Sequence, residues 1–289
     1  MKILVIGSGF LGAPIIQRLE AEGHELLVFA RRANPNLRSK QISGNIFHFS
    51  DFEKTLGWNP DVIIHTAWIT TPGLYANDSM NFDYRLFTIK LAERMASSEL
   101  AHLIVLGSCS EYGPQKLPAL AGTTPIAPEN EYARQKVEAL GDIKRILEDT
   151  GIRFTWARVY FPYGIGQHPD RLIPYMTRSL LSGDPIQLQN PSSVSDWITY
   201  RDIASAISWI INNDLPVELD IGTGRGISNL DLLAKLAKIL EVEVIPMDSP
   251  TDYLQQFDFK VVDTNAPIFK SGWIAQDDLE SGLRWVTNT

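Results

Sequence analysis

Residues Lys2–Leu19 read KILVIGSGFLGAPIIQRL, and this stretch decides the fold. Its apolar run at Ile3–Ile6 is typical of a strand buried on both faces of a parallel sheet. The run leads directly into the glycine turn Gly7–Gly12, and the apolar positions that follow, among them Ile15 and Leu19, repeat with helical spacing. The order strand, G-x-G-x-x-G, helix predicts a dinucleotide-binding turn.

Each glycine of this turn has a separate predicted role. Gly7 permits the tight turn, Gly9 lets the backbone approach a pyrophosphate, and Gly12 allows the helix to pack closely on the strand. The helix N terminus offers free N–H groups and the positive end of its dipole to phosphates. The residues expected to contact the cofactor here are Gly7, Ser8, Gly9, Phe10, Leu11 and Gly12. The alternative is a glycine-rich turn without a ligand, because the motif alone is a weak signal.

The composition is that of an ordinary soluble globular protein. The chain has 289 residues, of which 44% are hydrophobic, enough for one large domain or two joined ones. A net charge of −8 without a basic stripe argues against a nucleic-acid partner. A single cysteine, Cys109, excludes an intrachain disulfide and a multi-cysteine metal site, and no metal is expected. The apolar runs fall short of the ~18 residues of a membrane span, and the N terminus lacks a signal-peptide pattern, so we expect a cytoplasmic protein without a membrane partner.

Strand and helix patterns alternate along the chain, which predicts an α/β fold with a doubly wound parallel sheet (Rossmann) and a smaller C-terminal substrate lobe. The predicted strands are Ile3–Ile6, Glu25–Phe29, Asn45–Phe49, Asp61–Thr66, Leu103–Leu106, Arg153–Tyr160 and Glu218–Ile221. Helices are predicted at Asn81–Ala96, from near Tyr132 to Leu147, at Leu172–Leu181, Asp202–Ile211, Leu230–Leu240 and near Leu279–Val286, and a further one beginning near Asp51 with that residue as its cap. The dinucleotide-binding domain would span residues 1–164, with 197–224 returning to its sheet, and the substrate lobe 165–289.

The residues that follow the second predicted strand bear on the choice of cofactor. In a dinucleotide fold this position lies beside the adenosine ribose, about 20 residues after the glycine turn. An acid there would bind the 2′-hydroxyl of NAD, whereas Arg31 and Arg32 suit the 2′-phosphate of NADP. The sequence therefore favours NADP, with NAD as the alternative cofactor. If the two arginines bind no cofactor, they are simply a solvated basic pair at a strand end.

Ligands on parallel sheets bind beyond the carboxyl ends of the strands. That edge would bring together the glycine turn, Arg31, the pair Ala67–Trp68 and the segment Gly107–Ser110. His65, at the end of the fourth strand, is more simply a core or strand-end histidine than a catalytic one.

Three residues farther along suit proton transfer. Tyr132 and Lys136 are four residues apart on a predicted helix and so share a face, and Ser108 lies at the end of the fifth strand. A nearby ammonium and a cationic nicotinamide ring would favour the tyrosine phenolate, which could then take a proton from a substrate hydroxyl or return one to a carbonyl. Y-x-x-x-K alone is poor evidence, and a buried tyrosine beside a solvated lysine is the alternative.

A series of motifs in a fixed order extends this pattern nearly end to end. They are V-I-I-H-T-A at 62–67, Asn81, G-S-C-S-E-Y-G at 107–113, Y-A-R-Q-K at 132–136, R-V-Y-F-P-Y-G at 158–164, D-W-I-T-Y-R-D at 196–202, I-G-T-G at 221–224 and a C-terminal G-W…L…G-L. With the glycine turn they resemble an extended short-chain dehydrogenase/reductase of the NAD-dependent epimerase/dehydratase family.

The resemblance implies roles for individual residues. It makes Tyr132 the catalytic acid/base, with Lys136 lowering the pKa of Tyr132 and holding the ribose, and Ser108 assisting. Backbone around Tyr160 and Phe161 would approach the nicotinamide end of the cofactor. The resemblance also implies a homodimer that pairs through helices flanking the active site.

Several positions depart from the family pattern. The glycine turn is one residue shorter than G-x-x-G-x-x-G, and the usual acid of the third-strand region falls near His48, which leaves Asp51 as an adenine-side candidate. Cys109 and Ser110 replace the Asp-Glu pair of the dehydratases, which disfavours sugar dehydration. Phe161 replaces the Asn of N-V-Y-G-P.

The arginines that clamp a substrate diphosphate in nucleotide-sugar enzymes are also missing. Ser195 stands where one such arginine would precede Asp196, and the closest match to the second motif is Ser249–Asp252, which lacks an arginine. Candidate replacements are Arg171, Arg178 and Arg225. A smaller or less charged substrate is therefore favoured.

Three functions follow from these observations. The leading one is an NAD(P)-dependent oxidoreductase or epimerase acting on a secondary alcohol or carbonyl of a small-molecule substrate. The second is a nucleotide-sugar epimerase with relocated diphosphate ligands. The third is an NADP(H)-binding regulator without turnover, against which the Ser108, Tyr132 and Lys136 set argues.

Overall fold

The computed structural model describes residues 1–244 and 258–288. A parallel sheet of seven strands forms its centre, in the order β3-β2-β1-β4-β5-β6-β9. These strands are β1 (Lys2–Ile6), β2 (Glu25–Ala30), β3 (Lys40–Ser43), β4 (Val62–His65), β5 (His102–Ser108), β6 (Arg153–Val159) and β9 (Glu218–Ile221). The predicted doubly wound parallel sheet is confirmed.

Helices alternate with the strands along the chain. They are α1 (Gly12–Ala21), α2 (Phe49–Glu53), α3 (Met80–Met95), α4 (Glu131–Leu147), α5 (Leu172–Ser182), α6 (Tyr200–Asn212), α7 (Asn229–Leu240), α8 (Pro267–Lys270) and α9 (Leu279–Thr287). Two 3-10 helices lie at Leu56–Trp58 and Cys109–Tyr112. A second sheet is built around β8 (Val194–Thr199), which pairs with β7 (Phe161–Tyr163), β10 (Gly226–Ser228) and β11 (Phe259–Lys260).

The apolar run of β1 explains why this strand is central. Ile3 and Val5 belong to one core cluster with residues of α1 and α6, whereas Leu4 and Ile6 belong to a second cluster with residues of α3 and α4. Alternate side chains of a strand point to opposite faces, so a continuous apolar run serves two helical layers. All four side chains are fully buried, and each contributes about 1.5–3 kcal/mol of transfer free energy.

The predicted third strand, Asn45–Phe49, is wrong. The strand is Lys40–Ser43, an edge strand with neither an apolar run nor a fully buried residue. The chain turns after it because Asn45 Oδ1 accepts the Phe47 N–H at 3.1 Å, and an Asp51 carboxylate oxygen accepts the Asn45 N–H at 3.1 Å. The predicted cap at Asp51 is wrong for a related reason: α2 begins two residues earlier, at Phe49, after His48 as its N-cap.

The chain returns to the first sheet late in the sequence. β9 pairs in parallel with β6 at the sheet edge, and α6 packs against α1. β8 lies instead in the second sheet and packs against α6 and α9. The division at residue 164, with 197–224 assigned to the first domain, stays a prediction.

Candidate active site

The glycine turn between β1 and α1 has the geometry that its sequence predicts. Gly7 has φ +100°, and a Cβ there would lie 2.6 Å from Thr66 Oγ1. A Cβ on Gly12 would lie 2.1 Å from the Gly7 carbonyl oxygen, so close helix–strand packing requires glycine. A Cβ on Gly9 would meet no atom within 4 Å, so Gly9 leaves open space where a ligand can approach the backbone.

Leu11, Ser8 and Phe10 are the non-glycine residues of this turn. Leu11 is the N-cap of α1, which has no side-chain cap and no acidic residue in its first turn. The Ala13 N–H donates to the Gly9 carbonyl at 2.9 Å and Pro14 has no N–H, so Gly12 is the residue of the first turn whose N–H can serve a ligand. Ser8 is half-buried between Gly7 and Gly9. The Phe10 ring packs edge-on against Tyr200 at 5.5 Å, which ties the turn to α6.

Arg31 and Arg32 follow β2 and are exposed. Within residues 1–244 and 258–288 neither arginine forms a salt bridge, so both guanidinium groups are available to an anion. Asp51, in contrast, is occupied by Lys54 at 2.6 Å and by the Asn45 N–H. Because β3 ends at Ser43, the residues past the carboxyl end of the third strand are Gly44 and Asn45 rather than His48 or Asp51. Sequence reasoning missed this position because it placed the strand too late in the chain.

Trp68 and Ala67 follow β4, and their neighbours orient the tryptophan. Trp68 Nε1 donates to Asn81 Oδ1 at 2.8 Å, and its ring stacks on Tyr84 with centroids 5.7 Å apart. His65, at the end of β4, is buried and hydrogen-bonds Thr88 Oγ1 at 3.1 Å, as expected of a core histidine. Burial, assisted by the charge of Lys136, lowers the pKa of His65 to about 3.

Tyr160 and Phe161 lie between the two sheets. The Tyr160 N–H donates to the Ile221 carbonyl at 3.0 Å, and its side chain is buried. Phe161 begins β7, and its ring contacts Trp197 at 5.2 Å. Because the N–H is bonded and the phenol is buried, the carbonyl is the polar group of Tyr160 that a ligand at the sheet edge could use.

Tyr132 and Lys136 lie on the first turns of α4, whose N-cap Asn130 accepts the Ala133 N–H at 2.9 Å. The Tyr132 ring packs edge-on against Tyr75 at 5.1 Å and Trp68 at 6.4 Å. Lys136 is buried; its Nζ donates to the Leu106 carbonyl at 2.6 Å and lies 4.0 Å from the Trp68 ring centroid. The tyrosine and lysine thus share one pocket against β5, and the solvated-lysine alternative is wrong.

Burial dominates the ionisation of this pair. It raises the pKa of Tyr132, while a side-chain hydrogen bond with Ser108 acts in the opposite direction. Burial lowers the pKa of Lys136 to about 7, and the negative charge of Glu111 opposes that change. In the protein alone, therefore, the phenol is protonated at neutral pH, and the ammonium is near its midpoint.

Ser108 ends β5 and caps the 3-10 helix Cys109–Tyr112. Its Oγ accepts the Ser110 N–H at 3.2 Å, and its own N–H donates to Glu111 Oε1 at 2.7 Å, which is a reciprocal capping box. Because the Ser108 oxygen accepts from the backbone, its hydroxyl proton is free for Tyr132 or for a substrate oxygen.

Sequence reasoning gave no role to Glu111 beside this pocket, and it named Arg171 as a candidate diphosphate ligand without its contacts. Glu111 is fully buried and pairs with Arg158, whose Nε lies 2.7 Å from Glu111 Oε2. The spacing Ser108-x-x-Glu111 is a capping-box signal that could have identified it. Arg171 donates to the Thr70 carbonyl at 2.5 Å and lies over the Tyr75 ring at 5.0 Å, a contact between distant segments that no local pattern announces.

The diphosphate-clamp positions remain without arginine where the structure describes them. Ser195 is buried in β8, and Asp196 beside it accepts the Thr223 and Gly224 N–H groups, each at 2.8 Å. The segment 249–252 lies outside the described residues. Within the ranges described, no three side chains cluster as metal ligands, and no helix has the length and apolar character to cross a bilayer.

Comparison with known proteins gives a consistent set of relatives. The family model described as NAD dependent epimerase/dehydratase matches residues 3–222. A dTDP-glucose 4,6-dehydratase of Salmonella typhimurium is 22% identical over 98% of this chain and 91% of its own length. A UDP-glucose 4-epimerase of Streptococcus mutans is 24% identical over 97% of this chain and 94% of its own.

Solved structures share the fold. The UDP-glucose 4-epimerase of Thermus thermophilus, in complex with NAD, superposes with a TM-score of 0.84 at 20% identity, covering 100% of this chain and 98% of that one. The Bordetella bronchiseptica enzyme WbmG, in complex with NAD, gives 0.82 at 19% identity, covering 100% and 93%.

Proposed function

The chain belongs to the NAD dependent epimerase/dehydratase family, and from that premise we propose that it is an NAD(P)-dependent oxidoreductase or epimerase with Tyr132 as its acid/base. The observation that carries the proposal is the meeting of Ser108, Tyr132 and Lys136 at the carboxyl edge of the sheet that also bears the glycine turn. The substrate carries a secondary alcohol or the corresponding carbonyl.

The residues at this edge fit a dinucleotide. The open space over Gly9 and the uncapped first turn of α1 suit a pyrophosphate. Backbone of Ala67, Trp68, Tyr160 and Phe161 would line the nicotinamide half. When bound, the nicotinamide supplies the hydride acceptor or donor.

NADP is the proposed preference within this class. Its support is Arg31 and Arg32, two exposed guanidinium groups without a salt-bridge partner in the described ranges, directly past β2. The similar structures named above hold NAD, so the ratio of the two affinities is the quantity to measure.

The proton chemistry belongs to this chain's own side chains. As a base, Tyr132 takes the proton of a substrate hydroxyl, and as an acid it returns a proton to a carbonyl oxygen. Ser108 donates its free hydroxyl proton to that same oxygen. Lys136, in its ammonium form, stabilises the phenolate of Tyr132 through charge, because an opposite charge nearby favours the ionised form.

Tyr132→Phe tests the role of the phenol. Turnover of a responsive alcohol or carbonyl is expected to fall about 10²–10⁴-fold, the usual share of general acid–base catalysis, while NADP affinity stays at the wild-type value. Retained turnover would refute the role of Tyr132. A protein that binds the cofactor but leaves it unchanged across a carbonyl panel would instead be an NADP(H)-binding regulator.

A nucleotide-sugar epimerase is the second candidate, and one observation in the structure favours it. Arg171, at the N-cap of α5, reaches across to Thr70 and Tyr75, and the Tyr75 ring contacts Tyr132. An arginine one aromatic ring away from the acid/base is placed to hold a diphosphate in place of the missing clamp residues.

Thermal-shift titration with UDP- and GDP-sugars separates the two candidates. A nucleotide-sugar epimerase is stabilised by one of these ligands, and Arg171→Gln abolishes that stabilisation, whereas the exposed Arg178→Gln leaves it intact. If no nucleotide sugar raises the midpoint, the smaller substrate is favoured.

We also propose a cytoplasmic homodimer that pairs through α3 and α4. Phe82 and Leu86 are 47% and 37% exposed on α3. Arg85 between them ties α3 to Asp142 of α4 at 2.6 Å, so the two helices present one joined surface. Sedimentation of the wild type against Phe82→Glu tests the pairing.

A further inference from the structure

Glu111 is a buried carboxylate whose two oxygens both accept hydrogen bonds. Its Oε1 accepts the Ser108 N–H at 2.7 Å, its Oε2 accepts Arg158 Nε at 2.7 Å, and Trp156 Nε1 lies 3.1 and 3.0 Å from the two oxygens. The side chains of Glu111 and Arg158 have no solvent exposure. A charge held in this way costs a large desolvation free energy, which the paired donors offset.

The acid and the lysine of the pocket bind to neighbouring peptide groups. Lys136 donates to the Leu106 carbonyl, on one side of Gly107, and Glu111 accepts the Ser108 N–H, on the other. Gly107 itself has no room for a side chain, because a Cβ would lie 2.3 Å from Trp156 Nε1 and 2.8 Å from Glu111 Oε1. The end of β5 is thus hydrogen-bonded by Lys136 on one side of Gly107 and by Glu111 on the other.

The groups that face Lys136 come from three elements. His65 of β4 is a neutral imidazole, Tyr132 of α4 is a phenol, and the 3-10 helix contributes Glu111. The Trp68 ring from the loop after β4 covers the ammonium at 4.0 Å, which adds a cation–π attraction. Among these groups Glu111 is the acid: burial raises its pKa, while the guanidinium of Arg158, the charge of Lys136 and the Ser108 N–H act in the opposite direction and favour the carboxylate.

We propose that Glu111 is a positioning residue of this site: its carboxylate anchors the turn that carries Ser108 and favours the ammonium form of Lys136. The inference rests on the proposed function, because a charged Lys136 matters to the reaction through the Tyr132 phenolate. Without Glu111, burial alone would act on Lys136, and the amine would be neutral at physiological pH.

The titration of Lys136 is the correct readout for this role. Glu111 also acts directly on Tyr132, where its like charge raises the pKa of the phenol, so a tyrosine titration would mix two opposite effects. A lysine resonance that titrates far below the ordinary lysine range is measurable by NMR in the full chain labelled at lysine Cε. Lys136→Met assigns it by removing it.

Glu111→Gln keeps an acceptor for the Ser108 N–H and removes the charge. Glu111→Met removes both the acceptor and the charge. With two replacements, the inference can still be tested if one variant does not fold. Asp220→Asn is the control for losing a buried acid: Asp220 is equally buried and accepts the Tyr112 hydroxyl at 2.8 Å. Burial raises the pKa of Asp220 to about 7, and Asp220 is not among the groups that shift the pKa of Lys136. We expect both Glu111 variants to move the Lys136 titration down by about one pH unit or more, and the control to leave it in place.

Amide hydrogen exchange at Ser108 tests the anchoring role separately. Exchange is expected at the wild-type rate in Glu111→Gln and faster in Glu111→Met. An unmoved Lys136 titration in the Glu111 variants, an equal shift in Asp220→Asn, or equal Ser108 protection in the methionine variant would overturn the inference. Neither experiment needs substrate or cofactor, so its failure is distinct from a failure of the Tyr132→Phe experiment.

Discussion

Gly9→Ala separates cofactor binding from folding more cleanly than any other change in the glycine turn. The added Cβ meets no protein atom within 4 Å, and Gly9 does not need the left-handed backbone conformation that Gly7 adopts. Such a replacement is expected to leave folding unchanged or to stabilise it by about 0.4–1 kcal/mol through the unfolded state. The same methyl group occupies the space through which a pyrophosphate would approach the backbone.

The loss of affinity can be bounded from that geometry. A methyl group forces the pyrophosphate away from the N–H groups of the turn, and losing one charge-assisted hydrogen bond costs about 1.5–3 kcal/mol. Dissociation constants for NAD and NADP should therefore rise roughly tenfold to a hundredfold.

Calorimetric titration with each cofactor and urea unfolding of the same preparations measure the two effects. Gly57→Ala is the matched control, because a Cβ there also meets nothing within 4 Å but lies in the 3-10 helix Leu56–Trp58, before β4. The control should unfold and bind as the wild type does. If Gly9→Ala binds the cofactors with wild-type affinity, the claim that the pyrophosphate approaches the backbone at Gly9 is refuted.

Three further outcomes follow from the same contacts. Gly12→Ala should lower the free energy of unfolding by about 3 kcal/mol or more in urea titrations, because its Cβ would lie 2.1 Å from the Gly7 carbonyl oxygen; wild-type stability would contradict the packing. Replacing Arg31 and Arg32 together by Ala should weaken NADP binding and spare NAD in calorimetry, and an equal loss for both cofactors would exclude a 2′-phosphate contact. Burial lowers the pKa of Lys136 from 10.5 to about 7, so between those pH values the unfolded chain binds the extra proton, and wild-type stability gains from this group as the pH rises. Lys136→Met should remove that gain, which is on the order of 4–5 kcal/mol between pH 7 and 10.5. If the free energy of unfolding of variant and wild type changes with pH in parallel, the burial of the Lys136 ammonium group is contradicted.

The centre of the fold could be predicted because short stretches of sequence determine it. β1 and the glycine turn combine an apolar run with glycines that the backbone requires, and β9, Glu218–Ile221, was placed to the residue. β3 escaped prediction because Lys40–Ser43 is an exposed edge strand without an apolar pattern, whereas Ile46 and Phe52 bury themselves from a turn and a short helix.

The site divides in the same way. Tyr132 and Lys136 could be paired from helical spacing, and Ser108 from its position at a strand end. The contacts of Glu111 with Trp156 and Arg158, and of Arg171 with Thr70, join segments 45 to 101 residues apart. Such contacts depend on the packing of whole elements, which no local pattern carries.

The ionisation of Tyr132 in the presence of oxidised NAD tests the account most directly. Ultraviolet difference titration of the wild type against Tyr132→Phe, each with and without the cofactor, isolates this one phenol. We predict that the cofactor makes one tyrosine ionise well below the ordinary tyrosine pKa of ~10, because a cationic ring then lies beside it, and that Tyr132→Phe lacks this titration. Identical titrations of the two proteins with the cofactor bound would contradict the account.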